Sequence, residues 1–417
     1  MQTFLKEMKE SLHSNGHTNR KLATRFGVTH TTVNNYFNKK NKFDFMHFVD
    51  MLRLYEPKNV NYRRERIKEM IPLLSHKNSK LALEVMDMFG EYELQQLVID
   101  KIKKNTNNNT DENEEEKKKK GNSKTVRTNL KIISFYELLR KRSEGKISAK
   151  DFFEEVERMR KTQKHDENEL MILSDLNVIY SFFDLGNYKM VNEYIQQVLP
   201  TITNLKCRTY ENSFLLRIKE MKVFIELHDN KLEEARELAF EIINNETNCY
   251  ISTKAVAYCK IGESYVFSDY KKAKEYMEKS LEIIGEPVNK KLEKRRDKVL
   301  NTILFLKIFH GKDLHTINVD DLDPAEKAFL YIKLGMNTEA IKILKDLETR
   351  NGFLSNFQLY YMGLAIGGEE GKKYLEMSSE NFSKSGDFFY ISLPNLALKC
   401  YNRDIHKGGE TFEIKAI

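Results

Sequence analysis

The sequence predicts an all-α protein: an N-terminal helix-turn-helix domain followed by a tetratricopeptide-like right-handed helical superhelix. Three observations carry that expectation. Glycine (18) and proline (6) are scarce among 417 residues and tryptophan is absent, while Leu, Ile, Lys, Glu and Met recur at helical spacing. Residues 18–37, TNRKLATRFGVTHTTVNNYF, place a glycine between two short amphipathic stretches. Beyond residue 130, a turn followed by a residue three positions ahead of a small or apolar one recurs at intervals suited to stacked helix pairs.

Residues 3–14 read as a first helix, with Phe4, Leu5, Met8 and Leu12 on one side. In the next segment Leu22, Ala23 and Phe26 share a helical face, and Gly27 supplies the turn, because glycine accepts positive φ without a Cβ clash. Thr29 is a natural N-cap for the second helix, its hydroxyl accepting from an orphan backbone N–H. Val33, Tyr36 and Phe37 give that helix its buried side. The outward positions are His30, Thr31, Thr32, Asn34 and Asn35. Short polar side chains of this kind reach base edges in a major groove, where asparagine bonds adenine at two points. Arg20, Lys21 and Arg25 before the unit, and Lys39, Lys40 and Lys42 after it, are placed for phosphates, which fix position without reading sequence. An ordinary helical hairpin with a polar rim is the competing reading.

Charge placement favours nucleic acid. The chain carries a net +7, and residues 1–70 hold 8 Lys and 6 Arg against 7 Asp and Glu. That local excess equals the whole net charge, so the remainder is balanced. A nucleic-acid-binding module leaves such a footprint; a uniformly basic protein does not.

Further along, FDFMHFVDMLRLY places Phe43, Phe45, Phe48, Val49, Leu52 and Leu54 on a helix that closes the small core, and Pro57 punctuates it. These features set a DNA-binding domain at 1–58. Connecting helices follow in 59–104, read at 62–74, 79–88 and 91–103. There Arg63, Arg64, Arg66 and Lys68 either extend the phosphate contacts or form a solvated face. Residues 105–125, NTNNNTDENEEEKKKKGNSKT, contain no apolar side chain, so burial cannot offset chain entropy and a disordered charged loop is expected over 105–128. Its lysine run at 117–120 either touches DNA or is merely solvated.

The repeat domain spans 129–417. Its markers are Tyr188/Val191 after LGN, Leu232/Ala235 after HDNK, Tyr270/Ala273 after FSD, and Asn337/Ala340 after LGM, with GEEGKKYLEM near Gly371 as another. The gaps are 44, 38 and 67 residues, the last wide enough for two units. The small residue lets neighbouring helices approach and the aromatic wedges between them; stacked pairs form a superhelix with a concave face. Such faces take extended peptides. Lining positions fall on the first helix of each pair: Lys254, Tyr258, Glu263, Glu326, Asn356 and Gln358.

Other classes lack support. Cys207, Cys249, Cys259 and Cys400 contain no C-x-x-C pair, the ten histidines no H-E-x-x-H, and no glycine-rich phosphate loop occurs. Gly367-Gly368 reads as a turn. No nucleophile–base pair can be assembled, so no catalytic residue, metal or cofactor is expected, and the protein is read as a non-enzyme. No apolar run reaches the length of a membrane span, and no signal-peptide pattern follows Met1, so a cytoplasmic protein without membrane contact is expected. A repeat adaptor that binds a partner protein, without sequence-specific DNA binding, is the alternative function.

With this head and body, the chain resembles the peptide-responsive regulators of Gram-positive bacteria and their phages, and within them the arbitrium receptors (AimR) of Bacillus phages. The resemblance is carried by LATRFGV, VNNYFN, FDFMHFVDMLRLYEP, GESYVFSDYKKAKEYMEKSL and KSGDFFYISLPNLAL, in that order. It implies a homodimer on an inverted-repeat DNA operator in the host bacterial cytoplasm. It also implies control by a short secreted peptide carrying an arginine, and a choice between lysis and lysogeny. The peptide is expected to switch DNA binding off, the free receptor activating transcription. The family's two arginine-binding acids match Glu326 and Asp387, with Phe389 beside them to pack on the peptide. A carboxylate pair can fork-bind a guanidinium. The family's pocket asparagines fall near Phe224, His228 and Glu263, and its basic residue falls at Ser252, with Lys254 close by. The tail TFEIKAI departs from the family's leucine-rich end, which leaves the dimer contact unassigned.

Overall fold

The amphipathic periods become helices along the chain. The computed structural model describes residues 1–38, 43–108, 124–161, 168–246 and 248–405, and these hold 21 α-helices and no strand. No described helix is long and apolar enough to cross a membrane.

Four helices build the head: α1 (Gln2–Ser14), α2 (Asn19–Phe26), α3 (His30–Asn38) and α4 (Phe45–Tyr55). Leu5, Met8, Leu12, Val33, Phe45 and Phe48 are fully buried between them. The Thr18 hydroxyl accepts from the Lys21 N–H at 3.4 Å to open α2, and Gly27 closes it at φ +63°. Thr29 Oγ1 accepts from the Thr32 N–H at 3.1 Å, capping α3. The connecting region is α5 (Val60–Met70), one 3-10 turn (Ile71–Leu73), α6 (His76–Phe89) and α7 (Tyr92–Asn108).

Then come α8 (Lys124–Ser143), α9 (Ala149–Lys161), α10 (Asn168–Asp184), α11 (Tyr188–Thr203), α12 (Arg208–His228), α13 (Leu232–Asn244), α14 (Ile251–Ser264) and α15 (Tyr270–Ile284). The last part is α16 (Lys290–His310), two 3-10 turns (Leu314–Thr316, Val319–Asp321), α17 (Pro324–Lys333), α18 (Asn337–Asn351), α19 (Asn356–Ile366), α20 (Gly368–Ser385) and α21 (Ser392–Ile405).

Both α7 and α8 reach into the span expected as a disordered loop over 105–128. A helix already anchored by buried Val98, Ile99 and Ile102 adds further residues at little cost. The rest of that span, 109–123, lies outside the described residues, as do Lys39, Lys40 and Lys42.

Sequential helices of the body pack on one another. Helices α11, α13, α15 and α18 start at Tyr188, Leu232, Tyr270 and Asn337, the markers read from sequence. Val191, Ala235, Ala273 and Ala340 are buried at their packing faces. The 67-residue gap from Tyr270 to Asn337 holds α15, the long helix α16, the two 3-10 turns and α17. At α19 and α20 the backbones nearly touch: a Cβ on Gly371 would lie 2.5 Å from the Gly363 carbonyl oxygen.

The head is not a separate unit. One apolar core runs from Phe4 to Ile261, across the expected boundary at 58, and a second runs from Leu227 to Tyr401. Thr209 Oγ1 of α12 donates to Asp44 Oδ2 at 2.9 Å, and the Arg208 guanidinium lies against Gly27. Below this contact, Arg217 of α12 is locked to α6, its Nε on Glu84 at 2.8 Å and an Nη on Asp87 at 2.6 Å. Tyr136 of α8 donates to Glu84 at 2.9 Å. Burial alone would lower the Arg217 guanidinium; Glu84, Tyr180 and Asp87 outweigh it and hold it well above its usual value.

Candidate functional site

In the head, α3 presents His30 and Thr31 exposed and Thr32, Asn34 and Asn35 half-exposed, opposite the buried Val33, Tyr36 and Phe37. Arg20 and Lys21 are exposed at the start of α2. Arg25 is not free for phosphate as the sequence reading had it. It makes a two-pronged pair with Asp50 of α4, Nη2 reaching Oδ1 at 3.0 Å, and this pairing raises its pKa. Arg63 and Arg64 are engaged within the fold, while Arg66 and Lys68 make i,i+3 pairs on the surface of α5. Arg63 donates to the Pro57 carbonyl at 2.8 Å, Arg64 forks Glu91 at 2.8 and 2.9 Å, Arg66 pairs with Glu69, and Lys68 with Glu65. These pairings do not change the head's net charge, so the excess falls on the cations left exposed. Sequence reading missed Lys9, whose Nζ lies 3.5 Å from Asn34 Oδ1.

In the body, the expected acids sit at separate points of one aromatic cluster. Glu326, near the start of α17, accepts from the Tyr361 hydroxyl at 3.0 Å through Oε1, while its Oε2 is buried with no hydrogen-bond partner among the described residues. Burial, and then the nearby Asp323, push this carboxyl up to about 7. Asp387 lies in the turn after α20. Its Oδ1 accepts from the Tyr390 N–H at 3.0 Å and its Oδ2 is 3.0 Å from His228 Nδ1, close enough for a charge pair but off the line of a hydrogen bond. The Tyr390 hydroxyl donates to Glu263 at 2.7 Å. Burial alone would raise Glu263, but the adjoining Lys260 ammonium, with Tyr390 and His228, holds it below the usual carboxylate range.

Glu326 and Asp387 therefore share no partner among the described residues. The rings of Tyr361, Phe357 and Tyr390 lie between them, with centroids 6.5 and 4.9 Å apart in sequence. Phe389 faces the core: it is 1% exposed and packs on Phe267 at 4.7 Å, while Phe388 beside it is the exposed ring. Asn356 is half-buried and its carbonyl accepts from Ser378 Oγ at 2.8 Å. Gln358 is taken by a capping box with Ser355. Lys254 and Tyr258 are half-buried on α14.

A cavity of about 520 Å³ opens between α10, α12, α14 and α16. Of the eight residues expected to contact the peptide, Glu263 alone is in its lining. Phe224 also lines it, carrying Lys260 Nζ 3.5 Å above its ring and stacking on His228 at 5.3 Å. The opposite wall is α16, whose Arg295 pairs with Glu220 at 2.7 Å and reaches Ser252 Oγ at 3.4 Å. This wall was missed. Its signal was present in KKLEKRRDK, where Lys291, Lys294, Arg295 and Lys298 share one helical face.

Comparison with known proteins places this architecture. A family model described as AimR transcriptional regulator-like matches residues 63–400. The AimR transcriptional regulator of Bacillus phage SPbeta is 25% identical over 401 residues, covering 94% of this chain and 95% of that protein. An uncharacterized protein of Bacillus anthracis is 29% identical over 259 residues, 62% of this chain and 94% of its own length. Among solved structures, a phAimR–ligand structure superposes with a TM-score of 0.66 at 21% identity, covering 87% of this chain and 99% of that one. A selenomethionine phAimR gives 0.61 over 97% of both chains; at such identity the likeness speaks to the helical fold. With the family model spanning most of its length, the chain belongs to the AimR transcriptional regulator-like family.

Proposed function

We propose that this protein is a homodimeric DNA-binding regulator, switched by a short arginine-containing peptide bound on the concave side of the repeat domain, and that it serves a phage decision between lysis and lysogeny. The DNA half rests on the family and on the outward polar face of α3. Two heads enter successive major grooves of an inverted repeat, with Arg20 and Lys21 on phosphates and Asn34 and Asn35 at base edges.

One observation carries the peptide half: Glu326 Oε2 is a buried carboxylate oxygen with no donor among the described residues, beside an aromatic cluster. A buried acceptor left unmade is costly, and a guanidinium supplies both the hydrogen bond and the countercharge. Asp387 and Glu263, across the rings, are the further acids near it. The peptide shifts the population between two arrangements of the helices only by its difference in affinity for them.

A mobility-shift assay on DNA flanking the protein's own gene tests the reading. Wild type is expected to shift the operator fragment, and the N34A/N35A double variant to lose the shift. The peptide encoded by a small neighbouring reading frame should release the DNA. Glu326→Ala should abolish that release while leaving DNA binding intact. Capture of a stoichiometric protein partner, with no duplex retained at low salt, would replace this reading with the adaptor.

A further inference from the structure

Where the head meets the body, another cavity of about 170 Å³ lies between α4, α5, α6, α14, α15 and α16. Its walls are mainly apolar, with Val49, Ile67, Met88, Phe89, Ile284 and Leu292 among them. The two sides belong to different clusters. Ile284 and Leu292 form, with Ala255, an apolar group separate from the core that holds Val49, Ile67 and Met88. Side chains that face a gap of this kind lack dispersion partners across it. An engineered apolar cavity of about 150 Å³ takes up benzene, so this one has room for an apolar body of about six carbons.

The polar groups of the lining set the charge that fits. Arg64 forks Glu91 and donates to the Val288 carbonyl oxygen at 2.7 Å. The Glu286 side chain is 94% exposed and turns to Arg296 at 3.7 Å. Arg53 and Arg63 remain, and neither makes an ion pair among the described residues. Arg53 lies over the Phe89 ring at 5.3 Å. Arg63 donates to the Glu56 and Pro57 carbonyl oxygens in the turn between α4 and α5. Burial, and then the like charge of Arg53, hold the Arg63 guanidinium below its usual value. Two guanidiniums in a partly desolvated space repel each other, and a carboxylate close to both relieves them.

We propose that this junction binds a small monocarboxylate with an apolar body of about six carbons, its charged end held by Arg53 and Arg63 and its body filling the gap between Ile284, Leu292 and Val49. A cation is opposed by the two unmatched guanidiniums, and a wholly polar anion makes no use of the apolar walls. The concave cavity shares only Met88 with this site, and the proposal is independent of the peptide reading. Because α4 belongs to the head and α14, α15 and α16 to the body, an occupant ties the two together.

Calorimetric titration of the full-length protein with hexanoate, benzoate, hexanol, hexylamine and acetate tests the site. At least one of the two larger carboxylates should bind about tenfold or more tightly than hexanol, hexylamine or acetate, the scale of a charge-assisted hydrogen bond. The order of hexanoate and benzoate tells a chain from a ring, and either order supports the site. Arg53→Gln should weaken the bound carboxylate about tenfold or more while leaving hexanol unchanged. Val60→Phe fills the cavity from the α5 side. It should abolish binding of every probe while keeping or raising the unfolding temperature, which shows that the variant is folded.

Carboxylate binding that survives Val60→Phe in a folded variant places the anion elsewhere and overturns the proposal. Acetate that binds as tightly as hexanoate and benzoate removes the apolar half, and hexanol that binds as tightly removes the role of the guanidiniums; each overturns it. So does the absence of any heat from both larger carboxylates at millimolar concentration. Hydrogen exchange gives a readout without mutation: the bound carboxylate should slow exchange in α4 and at the start of α14 together, and protection on one side alone contradicts an occupant that bridges them.

Discussion

Replacing Glu326 by Gln removes a charge that the folded protein holds at a disadvantage. Its carboxyl rises from 4.5 to about 7 on folding, which makes the charged form roughly 3 kcal/mol less favourable in the folded state than in the unfolded chain. Because the folded pKa is the higher one, the folded state binds the proton more tightly. The associated stability is therefore complete below pH 4.5 and is lost as pH rises through 7. Glutamine does not titrate, and its carbonyl can still accept from Tyr361. Wild type and Glu326→Gln should be similarly stable at the acid end, and by about pH 8 the variant should lead by roughly 2–3 kcal/mol. Urea denaturation at the two pH values reads the difference. A gap between wild type and variant that is the same at both pH values refutes the reasoning. The same carboxyl gives a binding signature. An arginine ligand favours the charged form, so binding near neutral pH should release protons, detected as a buffer-dependent enthalpy in calorimetry and absent in the variant.

Three further outcomes follow from the packing. Arg217→Met leaves Glu84 and Asp87 buried without a countercharge, and denaturation should show a loss of about 3–5 kcal/mol; pairing it with Glu84→Gln and Asp87→Asn should recover part of that. Gly371→Ala drives a Cβ into the Gly363 carbonyl, and should lower stability by about 1–3 kcal/mol. The helix α12 runs about 30 Å at 1.5 Å per residue, from Arg208 against Gly27 to His228 against Asp387. Arg208→Ala with Thr209→Ala should therefore leave ligand affinity unchanged in calorimetry but weaken the ligand's effect on the mobility shift.

Local chemistry was readable and long-range pairing was not. The starts of α11, α13, α15 and α18, the left-handed Gly27 and the capping Thr29 each follow from neighbouring residues. Arg25 was misjudged because Asp50, its partner, lies 25 residues away. Arg217 was invisible for the same reason, its acids lying 130 and 133 positions back. The α16 row had a clear helical period, yet a charged helical face looks the same in sequence whether it meets solvent or lines a cavity. Phe388 and Phe389 are adjacent and chemically identical, and only the turn after α20 decides which one is buried. Helix α16 in the 67-residue gap carries no marker, and two 3-10 turns separate it from α17.

The central claim is that a cationic front end grips duplex while a charge-balanced back end senses a ligand. The most direct measurement is the affinity of the full-length protein for DNA flanking its own gene as salt rises from low to physiological concentration, for wild type and N34A/N35A. The account predicts tight, specific binding by wild type that falls steeply, with a log–log slope of about −4 or steeper. It predicts a double variant that keeps only weak binding indifferent to sequence. Wild type that shows no salt-sensitive attraction to any duplex, or a double variant that binds the operator as well as wild type, contradicts it.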